Sequence, residues 1–130
     1  MIDAMGIFRT TIEVAALPTP EARKRLVDVM VDTRSEYSWI PAEVLADAGV
    51  VPVRVDRFHT ADGRVLERDI GFALLYAAGR ATPTIVVFAD DGDMVLLGAH
   101  GLEGLNVRID LMSKELVPAG PVPVAVLTAA

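Results

Sequence analysis

Val27-Asp28-Val29-Met30-Val31-Asp32-Thr33-Arg34-Ser35 is an apolar run that stops on an acid, with hydroxyls following at Thr33 and Ser35. Valine and methionine dominate Arg25 to Asp32, which reads as a strand ending at Asp32. Upstream, Gly6 to Val14 alternates. Phe8, Thr10, Ile12 and Val14 fall on one face and Arg9, Thr11 and Glu13 on the other, the pattern of a half-buried strand. Leu17-Pro18-Thr19-Pro20 breaks the chain between them, so the two strands are expected to pair as a hairpin.

Downstream the chain continues as short elements. Pro41 to Ala48 reads as a helix, because proline suits the first turn and Gly49 supplies a left-handed stop. Val51 to Phe58 reads as a strand, and Thr60-Ala61-Asp62-Gly63 as a tight hairpin turn, since Asp-Gly favours positive φ. A long strand is expected from Arg64 towards Ala78, with Gly79 turning it into a central strand from Thr82 to Ala89. After the turn Asp90-Asp91-Gly92-Asp93 come a short strand, Met94 to Leu97, then Gly98, and one or two turns of helix over Ala99 to Leu105. Val107 to Asp110 and Glu115 to Val117 read as short strands, and Val122 to Leu127 as one more. Strands separated by recurrent turns, with one or two short helices, define an all-β class and a small closed β-barrel.

Composition narrows the function. The 130 residues suit one domain spanning 1–130, with a Pro/Ala-rich tail from about residue 118. Hydrophobic residues make up 52% and charged residues 23%, which excludes disorder. Net charge of −6 argues against a nucleic-acid partner, which needs a basic surface. The longest uncharged stretch, Leu116 to Ala130, carries Pro118, Pro121 and Pro123, so no membrane helix is expected. Nothing at the N-terminus reads as a signal peptide, Met5 is a second candidate start, and a cytoplasmic location is the default expectation. The absence of cysteine excludes thiolate nucleophiles and zinc–cysteine sites, and His59 and His100 alone cannot make an all-histidine metal site within one chain. No metal or cofactor is expected. Asp90 to Asp93 lacks the spaced ligands and final Glu of a calcium loop and reads as a turn.

The acid loop, continuing as Glu36-Tyr37-Ser38-Trp39-Ile40-Pro41, and the later Leu96-Leu97-Gly98 ahead of a helix resemble the retropepsin-like aspartic proteases, specifically the small bacterial members. Those proteins carry a strand ending in Asp-Thr-Gly-Ser/Ala and, later, two apolar residues before glycine. The order of parts is also similar: hairpin, acid loop, glycine-tipped hairpin, central strand, apolar-apolar-Gly, helix. The resemblance covers about Gly6 to Pro118. It implies a retropepsin-like barrel and aspartic endopeptidase chemistry on an extended peptide or protein substrate. The chain has one such Asp motif, so the resemblance implies a homodimer that pairs Asp32 across a two-fold axis. By the same resemblance Asp32 is the catalytic acid and Thr33 links the two acid loops. Ser35 bonds the outer carboxylate oxygen. Thr60, Ala61, Asp62 and Gly63 form a flap, and Leu96, Leu97 and Gly98 support the loop.

One position departs from the pattern: Arg34 stands where the family has glycine. A guanidinium beside the paired carboxylates favours the doubly ionised state and removes the shared proton the chemistry uses. Weak or absent peptidase activity is therefore expected. The alternative from another class is a non-catalytic dimeric peptide-binding or scaffold module, in which Arg34 contacts a ligand carboxylate. His59 and His100 read as ordinary surface residues, and Trp39 as core or near an interface.

Overall fold

The structure, a computed structural model, describes residues 8–126. Gly6 and Ile7 of the first expected strand, and Leu127 of the last, lie outside the described residues. Strands β1 (Arg9–Ala15) and β2 (Lys24–Val31) form the expected antiparallel hairpin around the 17–20 breaker. Ile12 and Val14 alternate into the core, as a period of two requires. The pairing slips once: Thr10 faces Val29 but Ile12 faces Leu26, so β2 carries an extra residue there, and Asp28 takes φ 54°.

The acid loop leads into β3 (Ser38–Pro41), then α1 (Ala42–Ala48), β4 (Arg54–His59), β5 (Val65–Ala77), β6 (Arg80–Ala89) and β7 (Leu96–Leu97). The chain then forms α2 (Ala99–Leu105), β8 (Val107–Asp110) and β9 (Glu115–Pro118). Helix α1 starts directly after Pro41 and ends at Gly49, whose φ of 90° lets its amide and that of Val50 reach the carbonyls of Ala46 and Leu45.

Among the described residues the main sheet has seven strands in the order β1-β2-β7-β3-β6-β5-β4, and β1 also pairs with β5. That extra pairing, Glu13 to Tyr76 through Ala15 to Leu74, closes a ring of six strands and leaves β4 outside it. Residues Ile70–Ala77 of β5 pair with β6 inside the ring, while Val65–Ile70 pair with β4 and project as a two-stranded arm. Ile12, Val14, Val29, Ile40, Leu45, Leu75, Val86 and Leu97 fill the ring, and Leu102 and Leu105 of α2 plug one side. The fold is thus an all-β barrel with two short helices, as expected.

Three local readings are corrected. The acid loop does not run unbroken to Pro41: Ser38–Pro41 is a strand, parallel to β6. Val51 to Val53 is not strand. Pro52 has no amide to donate, and the segment joins the sheet through one bond, Val53 N–H to the Ile70 carbonyl at 2.8 Å. No strand forms over 122–126, where the side chains of Val122, Val124 and Val126 are exposed.

Candidate active site

Asp32 is the first residue beyond β2. Its height is set by β7, which lies between β2 and β3. Met30 and Val31 pair in parallel with Leu96 and Leu97, and Trp39 pairs with Leu96 from the other side. The Asp32 amide donates to the Leu97 carbonyl at 3.0 Å, and the Ser35 amide closes a turn onto the Asp32 carbonyl at 3.2 Å. Helix α2 then receives the loop. The amides of Ala99 and His100 donate to the carbonyls of Ser35 (2.8 Å) and Glu36 (3.0 Å). Gly98 makes this approach possible, because a Cβ there would sit 2.8 Å from the Ser35 carbonyl oxygen and 2.7 Å from the Tyr37 carbonyl carbon. The Gly98 amide donates to Ser38 Oγ at 3.0 Å, fully buried.

Leu97 and Gly98 therefore sit against the acid loop. Ser38 is a supporting residue that sequence reasoning left inside an undifferentiated loop. Its signal, a lone hydroxyl in an otherwise apolar Trp-Ile-Pro context, is too weak to single out.

The Asp32 carboxylate, 14% exposed, is held by Arg34 alone among the described residues. Oδ1 accepts from the Arg34 amide and Nε, each at 3.0 Å, and Oδ2 accepts from Nη2 at 3.1 Å. The guanidinium itself is 88% exposed. The Arg34 side-chain hydrogen bonds hold the Asp32 carboxyl below the usual carboxylate range, against the opposing effect of burial. Thr33 faces elsewhere, onto a groove of about 640 Å³ shared with Leu102, Asn106 and the tail residues Pro121 and Val122.

The arm's tip is the Thr60–Gly63 turn. The Thr60 amide donates to the Arg64 carbonyl at 2.9 Å and the Gly63 amide to the Thr60 carbonyl at 3.1 Å, with Gly63 at φ 87°. Asp62 is tied down by Thr60 Oγ1 and by Arg64 Nε. A cavity of about 500 Å³ lies between tip and loop, lined by Asp32, Arg34, Ser35, Thr60, Ala61 and Leu96 among others. Asp62 and Gly63 do not line it. Trp39 and Phe58, ring centroids 5.0 Å apart, border both this cavity and an adjoining one of about 420 Å³ that Tyr37 and His59 also line.

The remaining candidates have ordinary places. His100 sits 3.2 Å from Glu36, with its ring edge-on to Tyr37. Asp90 and Asp93 are engaged by Arg68, whose Nε and Nη2 donate to Asp93 at 2.7 and 3.0 Å. Among the described residues no group of three or more His, Asp or Glu is placed to hold a metal ion, and no helix is long and apolar enough to cross a membrane.

No protein-family model matches the sequence, and no curated protein does. Among solved structures the chain is similar to the solution structure of Simian Foamy Virus (mac) protease. The match has 18% identity and a TM-score of 0.46, covering 72% of this chain and 92% of that one.

Proposed function

We propose that this chain is one half of an aspartic-peptidase-type site: Asp32 meets the Asp32 of a second copy, and an extended peptide binds beneath the β4–β5 arm. The observation that carries the reading is the single cavity in which Asp32, at the end of a core strand, lies opposite Thr60 and Ala61 at the arm's tip. A peptide there would add as a strand, through backbone hydrogen bonds. Two carboxylates in contact share one proton. The ionised one takes a proton from the water that attacks the carbonyl carbon while the protonated one gives its proton to the carbonyl oxygen; as the C–N bond breaks, the first gives its proton to the leaving amine and the second takes one back from a diol hydroxyl. Both acids titrate as a pair.

In the chain as it stands Arg34 opposes that chemistry. Three donors on one carboxylate favour the charged form, and the guanidinium occupies the oxygens a water would use. The protein as written is thus a poor peptidase. The same contact favours a second reading, a peptide-binding module that does not cut. In that module Arg34 turns from Asp32 to a carboxylate on the ligand.

Cleavage of a mixed peptide library from about pH 3 to 7 separates these readings. Arg34→Gly is expected to cleave at least about tenfold faster than the unsubstituted protein, because it frees the Asp32 oxygens for general acid–base work, which typically contributes about 10²–10⁴-fold. Asp32→Asn is expected to abolish cleavage. Silence from Arg34→Gly, with peptide still bound, selects the binding module. Cleavage that survives Asp32→Asn removes the reading altogether.

A further inference from the structure

Beside the acid loop the protein carries an aromatic wall that the chemistry of Asp32 does not use. Ser38 and Ile40 point into the core, so strand alternation turns Tyr37 and Trp39 outwards together. Phe58 of β4 comes down on both from the arm, its ring edge-on to theirs at centroid distances of 6.0 Å (Tyr37) and 5.0 Å (Trp39). The three rings form one wall of the cavity of about 420 Å³ that adjoins the acid cavity. Trp39 and Phe58 also border the acid cavity, whereas Tyr37 borders the second and not the first.

The wall is built before any ligand arrives. Tyr37 is also braced by the His100 ring, edge-on at 5.8 Å. The charged groups around the cavity are already matched. Arg34 is held on Asp32, Glu36 lies 3.2 Å from His100, and Asp56 accepts from Arg54 Nε at 3.0 Å. Arg57 stands opposite Glu67, and alternation turns it to the face of the arm away from Phe58. The cavity therefore offers a guest ring surface rather than unmet charge. Aromatic pairs gain from edge-to-face contact beyond the area they bury, an advantage an aliphatic side chain does not have.

We infer that this second cavity is a specificity subsite for an aromatic side chain of the bound peptide, with Tyr37 and Phe58 as the residues that select it. The assignment rests on the reading that a peptide lies beneath the arm as an added strand. Side chains two positions apart on such a strand share a side and stand about 6.5–7 Å apart. Two cavities with a common Trp39–Phe58 wall suit that spacing. An apolar residue enters the first, against Met30, Leu66 and Leu96, and the aromatic residue two positions away enters the second.

The test uses the single tryptophan: Trp39 lies in the shared wall, so its fluorescence reports a guest in either cavity. The full chain is titrated with blocked hexapeptides of alanine in which one Leu is fixed and Phe, Leu, Glu or Lys stands one or two positions from it. Phe two positions away is expected to bind about threefold or more tighter than Leu at that place, and about tenfold or more tighter than Glu or Lys. Tyr37→Leu should bring Phe and Leu to near equality by weakening the Phe peptide, whereas a merely structural role would weaken both alike. Phe58→Leu gives the same reading if Tyr37→Leu fails to fold, and Glu67→Gln, on the arm's outer face, should keep the preference. Leu, Glu or Lys binding as tightly as Phe, or a preference that survives both Tyr37→Leu and Phe58→Leu, overturns the subsite and leaves the peptide reading standing. No response to any peptide overturns both.

Discussion

Arg34 and Asp32 lie two positions apart, and their pairing separates stability from chemistry. An ion pair with so exposed a guanidinium adds little to folding. Its effect is on the carboxylate, which it keeps ionised. Arg34→Gly should therefore leave the thermal midpoint nearly unchanged while the Asp32 carboxyl titration, followed by carbon-13 NMR, moves up towards the ordinary ~3.9. A titration that does not move would show that the loop backbone, not Arg34, sets the acid.

Arg68 and Asp93 make the opposite case. Both side chains are mostly covered, and the Arg68 hydrogen bonds hold the Asp93 carboxyl below its usual range. With the folded value lowered, the pair's contribution is complete above the unfolded carboxylate range and disappears as pH falls through the folded value. Arg68→Ala should cost about 1–2 kcal/mol near neutral pH and less below about pH 3, measured by urea unfolding at both. An equal cost at both pH values would assign Arg68 a packing role instead.

At the scale of elements, the loop, β7 and α2 stand or fall together because their backbones touch. Gly98→Ala puts a methyl group against the Ser35 and Tyr37 backbone and should destabilise by about 1–3 kcal/mol, read by chemical denaturation. An unchanged midpoint would mean the loop can yield, and with it the argument that Gly98 positions Asp32. Here the sequence was partly legible. The 60–63 turn, the α2 span and the Leu-Leu-Gly segment announce themselves through residues with a single conformational use. Strand β3 does not: it is four residues long and gains its identity from β6 and β7 on either side, partners far away in sequence. The 51–53 and 122–126 segments mislead in reverse. Valine carries strand propensity wherever it falls, but interleaved prolines deny it a ladder. The site was legible in its residue types and not in its contacts. That Asp32 would be gripped by its own neighbour two residues on depends on a side-chain conformation no motif encodes.

Across the whole molecule the ring is sealed by the β1–β5 pairing, while the tail beyond β9 lies exposed, with three valines directed into solvent. The proposed pairing of two Asp32 residues needs a second copy, and those valines are apolar surface for it to cover. Removing residues 122–130 should leave the thermal midpoint nearly unchanged and weaken self-association about tenfold or more in sedimentation. Full-length protein that is monomeric at high concentration would dismiss the shared site. Unaltered association after truncation would move the interface elsewhere.

The extra residue in β2 has its own bearing on how such a chain can change. Before Asp28 the strand turns an even-numbered side chain, Leu26, towards the interior; after it the odd-numbered Val29 and Val31 face in. Position 28 therefore works like a frameshift written into one strand. Deleting that one residue would leave composition and hydropathy almost untouched. It would also restore strict alternation, with Leu26 and Val29 still facing in and still opposite Ile12 and Thr10, so the strand would lose its irregularity and keep both its interior and the side on which it delivers the acid.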